Sequence, residues 1–266
     1  MKKWKITKEY QGTDVEKRFS TLEKVFSCEG EFITRDLISG VDRVTINKKR
    51  YYVKKYRAAG KNIRRYLGRS RVRAEWENLF YLKDMGIPVP EIVGFGQKLH
   101  RGRFQAGALI TEEVVDTVDL AHYVKDDPTV LKDIARRYAV LNQVADYTRK
   151  MHESKFVHGD LNWRNILVKT KGAPNIFFID CPSGCFNHGY YLRKGVVGDL
   201  AHLAKLAKEF LSIKDQIKFY KRYKQIEKLS EQDRQYFIQI RNLLEKYRLK
   251  KLNKQIKRQK KLQCHT

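Results

Sequence analysis

The stretch FVHGDLNWRNILV, Phe156 to Val168, sets an aspartate and, five residues later, an asparagine ahead of an apolar run. A second apolar run, IFFID, ends on Asp180. An aspartate in a loop is ordinarily a cap or a turn residue. Asp160, Asn165 and Asp180 at these intervals together exceed what turns require. Their oxygen donors suit a hard cation such as magnesium better than zinc.

An acid, a gap of four and an asparagine entering a strand is the spacing of a phosphotransfer loop. The acid orients an attacking hydroxyl and takes its proton, and the asparagine amide oxygen helps hold magnesium. Asp160 and Asn165 fit those places. Asp180, closing the next strand, fits that of an acid reaching a metal on nucleotide phosphates.

Working outward, the 266 residues are 42% hydrophobic, enough for a sizeable core in one large domain or two lobes. Residues Arg43 to Tyr56, RVTINKKRYYVKKY, predict a hairpin around Asn47 to Arg50. EIVGFGQ and FQAGALITEEVV predict further strands, and between lies a helix on which Val72, Trp76, Leu79 and Phe80 recur at helical spacing until Gly86 and Pro88. The strands give way near Glu112 to Asp119. Beyond Pro128 helices dominate, the first running to about Met151, with short strands at Ile166 to Val168 and Ile176 to Ile179. The fold class is α+β.

The 56 Lys and Arg outnumber the 30 Asp and Glu, for a formal charge of +26. Such a chain suits an anionic environment: nucleic acid, an acidic membrane surface or a phosphorylated substrate. Arg248 to Lys261 holds eight basic residues and no acid, and Leu249, Leu252, Ile256 and Leu262 share a rough stripe, which makes a basic amphipathic segment of the kind that lies on anionic membranes. No run reaches the roughly 20 apolar residues that cross a bilayer. Cys28, Cys181, Cys185 and Cys264 lack zinc-site spacing and read as free thiols in a reducing compartment. His152, His158, His188 and His202 show no ligand spacing, and His158 reads as packed scaffold.

HGDLNWRNILV followed by FFIDCPSG resembles the bacterial lipopolysaccharide core kinases, the heptose and Kdo kinases, over roughly Val41 to Phe210. The resemblance implies a two-lobed protein-kinase-like fold: a β-rich N-lobe with one inserted helix, and a mainly helical C-lobe. Residues 1–30 are then an N-terminal extension, 31–113 the nucleotide-binding N-lobe, 114–247 the C-lobe and 248–266 a basic tail. It also implies ATP and Mg2+ as cofactors, an inner-core glycolipid as acceptor, peripheral attachment to the anionic cytoplasmic face of the inner membrane, and no nucleic-acid partner.

The same template asks for a phosphate lysine on a strand and a partner glutamate on the inserted helix. In YYVKKY the two lysines face opposite ways. The family's aromatic-Val-Lys pattern falls on Lys54, with Lys55 the alternative; replacing whichever faces away is expected to be mild. The glutamate matches Glu75. Gly40 alone represents the glycine-rich loop, so phosphate neutralisation would fall partly to Lys61, Arg64, Arg65, Arg69, Arg71 and Arg73. Asp199 matches the acid that anchors the catalytic loop through its backbone, a structural role. Asp180 is followed by Cys181-Pro182, and only eighteen residues separate it from Asp199, which leaves little room for a peptide-docking platform. Two other readings stand beside this one. One is an aminoglycoside or choline type phosphotransferase, whose acidic acceptor pocket a +26 chain suits poorly. The other is a non-catalytic basic pseudokinase that binds RNA or membrane, for which three retained oxygen donors have no physical use.

Overall fold

The computed structural model describes residues 4–60 and 68–263; beyond residue 250 it describes side chains only at 252, 253, 255, 256 and 259. Lys61, Arg64, Arg65 and Cys264 therefore lie outside the described residues. The chain divides into two compact units, one of residues 1–118 and 167–184, the other of 119–166 and 185–266.

The first unit opens with β1 (Lys5–Ile6), α1 (Asp14–Phe19) and α2 (Leu22–Ser27). Then come β2 (Glu31–Arg35), β3 (Ser39–Ile46), β4 (Lys49–Tyr56), α3 (Arg71–Asp84), β5 (Ile92–His100) and β6 (Arg103–Glu112). Six strands form one antiparallel sheet in the order β1-β5-β6-β4-β3-β2. β3 and β4 are the expected hairpin, with a turn narrower than predicted: Asn47 and Lys48 both have positive φ, the two-residue turn whose twist matches its strands. Helix α3 begins where Ser70 accepts a hydrogen bond from Arg73 N, a side-chain N-cap.

Residues up to 28, which sequence pattern left without elements, are integral to this unit. β1 extends the sheet, and Val15, Phe19, Leu22, Val25 and Cys28 form a core with Val44, Tyr51, Val53, Val93, Ala108 and Ile110. The face of β4 that carries Tyr51, Val53 and Lys55 is thereby buried. This overturns the expectation that one of its two lysines faces outward: Lys55 is only 6% exposed. The inserted helix α3 is joined by two short helices that periodicity did not reveal.

A three-stranded sheet follows, β10-β9-β7, made of β7 (Thr117–Asp119), β9 (Ile166–Lys169) and β10 (Ile176–Phe178). The second unit holds α4 (Leu120–Asp126), α5 (Ile134–Glu153), β8 (Phe156–Val157), β11 (Cys185–Phe186), α6 (Gly189–Phe210), α7 (Ile213–Lys224) and α8 (Glu231–Gln263). Helix begins at Leu120, just past the expected changeover at Glu112 to Asp119, where Asp119 caps α4 by accepting from His122 N. The core around Ala145, Leu200, Tyr220 and Tyr223 is completed by Phe219, Phe237 and Ile240, so the early part of α8 is packed. Its later part exposes Leu249, Leu252 and Ile256. Among the described residues no helix is long and apolar enough to cross a membrane.

Candidate active site

In the first unit three predicted residues meet. Lys54 Nζ lies 2.8 Å from Glu75 Oε1 and 2.7 Å from Asp180 Oδ1. Glu75 is buried on α3, and its other oxygen accepts a close hydrogen bond from the Tyr56 hydroxyl. Burial opposes the charge on Lys54 most strongly, but Glu75, Tyr56 and Asp180 together overcome it and hold the ammonium well above the usual lysine range. Burial pushes the Glu75 carboxyl up, against the pull of Lys54. Tyr56 is raised well above its ordinary value by the same burial and by Glu75, so it stays a donor. Lys55 takes no part: its Nζ reaches the Cys28 carbonyl at 2.7 Å and Asp42 Oδ2 at 2.9 Å.

Asp180 stands two residues beyond β10 with φ at +55°. Aspartate tolerates that left-handed region better than most residues, at a cost of order 1 kcal/mol. The following segment is tied to α3: Asn78 Nδ2 donates to the carbonyls of Cys181 at 2.6 Å and Gly184 at 2.8 Å, and Arg69 donates to Gly184 at 3.1 Å. Asn78 is three residues from Glu75, hence on the same helix face. One helix thus presents Glu75 and fixes the chain after Asp180. Sequence reading missed Asn78 and Tyr56. The available signal for Asn78 was an amide in a stripe otherwise occupied by Trp76, Leu79 and Leu82.

The basic cluster divides. Arg69 and Arg73 pair with Glu77, at 3.3 and 2.9 Å, so both are committed to α3. Gly40 lies in β3 just past the tight turn of Asp36 to Ile38. There Asp36 Oδ1 accepts from Ile38 N and Ser39 N, both at 2.7 Å. The turn is closed by a carboxylate where a glycine-rich loop would offer free amides.

In the second unit the loop after β8 is fixed from α6. Asp199, fully buried, accepts from His158 N at 2.7 Å and Gly159 N at 2.9 Å, and His152 Nε2 lies 3.3 Å away. Gly159 has φ at +74°, where a side chain would be strained. Trp163 Nε1 donates to the Leu203 carbonyl at 2.9 Å, a second tether to α6. Within the loop Asn165 Nδ2 donates to the Asp160 carbonyl at 2.8 Å, which leaves its amide oxygen available as an acceptor. Asn162 Nδ2 makes a close hydrogen bond to Asp160 Oδ1. Among the described residues there is no cluster of three or more His, Cys, Asp or Glu that could hold a metal.

A strand lysine paired with a helix glutamate, an acid after a short strand, and an Asp-x4-Asn loop pinned by a buried helix acid are the parts of a kinase-type phosphotransferase. Residues 23–240 match the lipopolysaccharide kinase (Kdo/WaaP) family, and the chain belongs to it. It is a phosphotransferase with an alcohol group as acceptor, on a protein-kinase-like fold. Among curated relatives, Protein InaA of Escherichia coli (strain K12) is 28% identical over 173 residues, covering 62% of this chain and 79% of that protein. Lipopolysaccharide core heptose(I) kinase WaaP of the same strain is 31% identical over 86 residues, 32% of each chain. The RIO-type serine/threonine-protein kinase Rio1 of Thermoplasma acidophilum is 28% identical over 110 residues, 41% of this chain and 48% of that one. A solved structure of WaaP in complex with acyl carrier protein superposes with a TM-score of 0.71 at 19% identity, over 92% of this chain and 98% of that one.

Proposed function

We propose that this protein transfers the γ-phosphoryl group of ATP to a sugar hydroxyl of the lipopolysaccharide inner core, heptose before Kdo. The observation that carries the reading is the Lys54–Glu75–Asp180 set, assembled at 2.7 to 2.8 Å around one ammonium. Lys54 engages the nucleotide phosphates, and Glu75 with Tyr56 holds it in place. Asp160 takes the proton of the attacking hydroxyl, its position fixed by the Asp199 tether at the start of the loop. Asn165, whose Nδ2 is already committed, and Asp180 are the residues that would hold magnesium. Magnesium held there would supply neutralisation of the phosphate charge. Gly40 contributes backbone space beside the nucleotide, with no bouquet of amides, since Asp36 occupies those next to it.

The heptose assignment is supported by the 31% identity to a heptose(I) kinase, and the acyl carrier protein bound to the solved relative makes a protein partner part of the same reading. The later part of α8, which exposes Leu249, Leu252 and Ile256 within a sequence rich in Lys and Arg, supports attachment to an anionic bilayer at the cytoplasmic face, where each nearby cation contributes about 1 kcal/mol and weakens with salt. The test is mass spectrometry of lipopolysaccharide from a strain lacking this protein. One phosphate should be missing from the inner core and return on complementation with the wild type but not with Asp160→Asn. An unchanged core would overturn the acceptor. For the tail, vesicle binding that truncation from Arg248 leaves intact, equal on neutral and anionic lipid, would overturn the membrane role.

A further inference from the structure

Tyr190 and Tyr191, in the first turn of α6, are 65% and 70% exposed although their rings touch, with centroids 5.6 Å apart. Two large rings held against each other in solvent have no packing role. One turn along, at three and four residues' spacing and hence on the same side of the helix, are Arg193 and Lys194. Both are exposed, and neither makes an ion pair among the described residues. Phe186, 47% exposed, stands just before this turn with its ring 5.1 Å from that of Phe156.

This surface is fastened to the strand that leads into Asp160. β11 pairs with β8, Phe186 opposite Phe156 and Cys185 opposite Val157, and Asn187 N donates to the Lys155 carbonyl at 2.9 Å. A Cβ added at Gly195 would stand 2.7 Å from Val157 Cγ2, so α6 lies against β8 as closely as a backbone can. Asp199 then holds His158 and Gly159, two residues and one before the base. Tyr191, Gly195 and Asp199 recur every four residues, one stripe of one rigid helix. Eight residues at 1.5 Å each put the rings about 12 Å along the axis from Asp199.

We propose that Tyr190, Tyr191, Arg193 and Lys194 form an acceptor-binding platform for an anionic sugar, one or two residues removed along the oligosaccharide from the hydroxyl that is phosphorylated. The proposal rests on the phosphotransferase reading above and narrows its acceptor. A pyranose presents a face of C–H groups edged with hydroxyls, which fits an aromatic face carrying a phenolic O–H. A guanidinium and an ammonium one turn away fit a phosphate or carboxylate on the same or the next sugar. Binding at a distance from the reacting hydroxyl positions it, and such positioning is lost without any change at the reacting groups.

The test uses the full chain and core oligosaccharide freed of lipid, with and without phosphatase treatment. Tyr190→Ala/Tyr191→Ala should raise the acceptor KM about tenfold or more, the size of losing roughly 1.4 kcal/mol of binding, while the Kd for magnesium-ATP and the melting temperature stay as in the wild type. Arg193→Gln/Lys194→Gln should raise KM for the phosphorylated oligosaccharide and lose most of that effect after phosphatase if phosphate is the anion recognised; an effect that survives phosphatase assigns the carboxylate. Calorimetric binding of the oligosaccharide should weaken in the same order. Unchanged acceptor KM in both double variants, or a fall in kcat at constant KM, would overturn the platform while leaving the phosphotransferase reading intact. A wild type that binds magnesium-ATP yet neither binds nor phosphorylates the oligosaccharide would overturn the acceptor class, and the platform with it.

Discussion

Replacing each of the adjacent lysines of β4 by methionine should produce two different failures. Lys55 is buried with Asp42 and the Cys28 carbonyl. Removing one member of a buried pair costs about 3–5 kcal/mol because the other charge is stranded. Here Arg35, 3.5 Å from Asp42 and half exposed, offsets part of that, while the orphaned carbonyl adds about 1 kcal/mol. The balance is roughly 3 kcal/mol. At about 2–4 °C per kcal/mol for a chain of this size, Lys55→Met should melt about 6–12 °C below the wild type, with residual turnover near normal at low temperature. Adding Asp42→Asn should recover much of the loss, since the stranded charge is gone. Lys54→Met should instead cut turnover by about 10² to 10³, the usual loss on deleting one preorganised electrostatic donor. Glu75, already pushed up by burial, can then take a proton, so this variant should lose stability as pH rises through the carboxylate range and beyond. Scanning calorimetry and steady-state phosphoryl transfer on both variants decide the matter. A Lys55→Met protein that melts with the wild type, or that loses turnover as severely as Lys54→Met while remaining stable, would refute the assignment of faces.

Asp160→Asn should lower turnover by about 10² to 10⁴ with little change in magnesium-ATP affinity measured by calorimetry. Asp199→Ala leaves the His158 and Gly159 amides without their acceptor, at about 1–3 kcal/mol for each; hydrogen exchange at those two amides should accelerate, with turnover falling in step. Burial opposes the Asp215 carboxylate, but the hydroxyls of Ser212 and Tyr138 and the Arg137 charge overcome it and hold its pKa below the usual value. Its stabilisation is therefore present above the unfolded pKa and lost as pH falls through the folded one, so Asp215→Asn should flatten the acid limb of a thermal-stability profile.

Local chemistry made much of this legible. The hairpin of β3 and β4, helix α3 and the loop from His158 to Asn165 are governed by alternation, helical spacing and turn residues within a few positions. The choice of Lys54 came instead from the aromatic-Val-Lys pattern of the family the chain resembles, because alternation alone left both lysines open. What escaped depends on neighbours far along the chain. β1 is two residues long and α1 and α2 six each, too short for a period, and only their burial against Tyr51, Val53 and Val93 gives them meaning. With that layer unseen, Lys55 read as a solvent residue. Asn78 and Tyr56 are defined by partners at positions 181, 184 and 75, which no local pattern announces. The Asp36 turn escaped because a missing glycine motif shows where a loop departs from type but not what closes it.

The lysine pair also has a bearing on how the chain folds. Suppose β4 slips by one residue against its neighbours, which inverts every side chain. In one direction Lys55 takes the place of Lys54 and satisfies Glu75, but Tyr56 then arrives opposite Asp42. In the other, Lys54 satisfies Asp42 while Val53 arrives at Glu75. The first error leaves Asp42 with only the half-exposed Arg35 beside it, and the second leaves buried Glu75 without Lys54, penalties that a strand of purely alternating apolar residues would not incur. Two consecutive lysines, each claimed from an opposite layer, thus act as a key with a single admissible depth, and the native register is favoured over either slip.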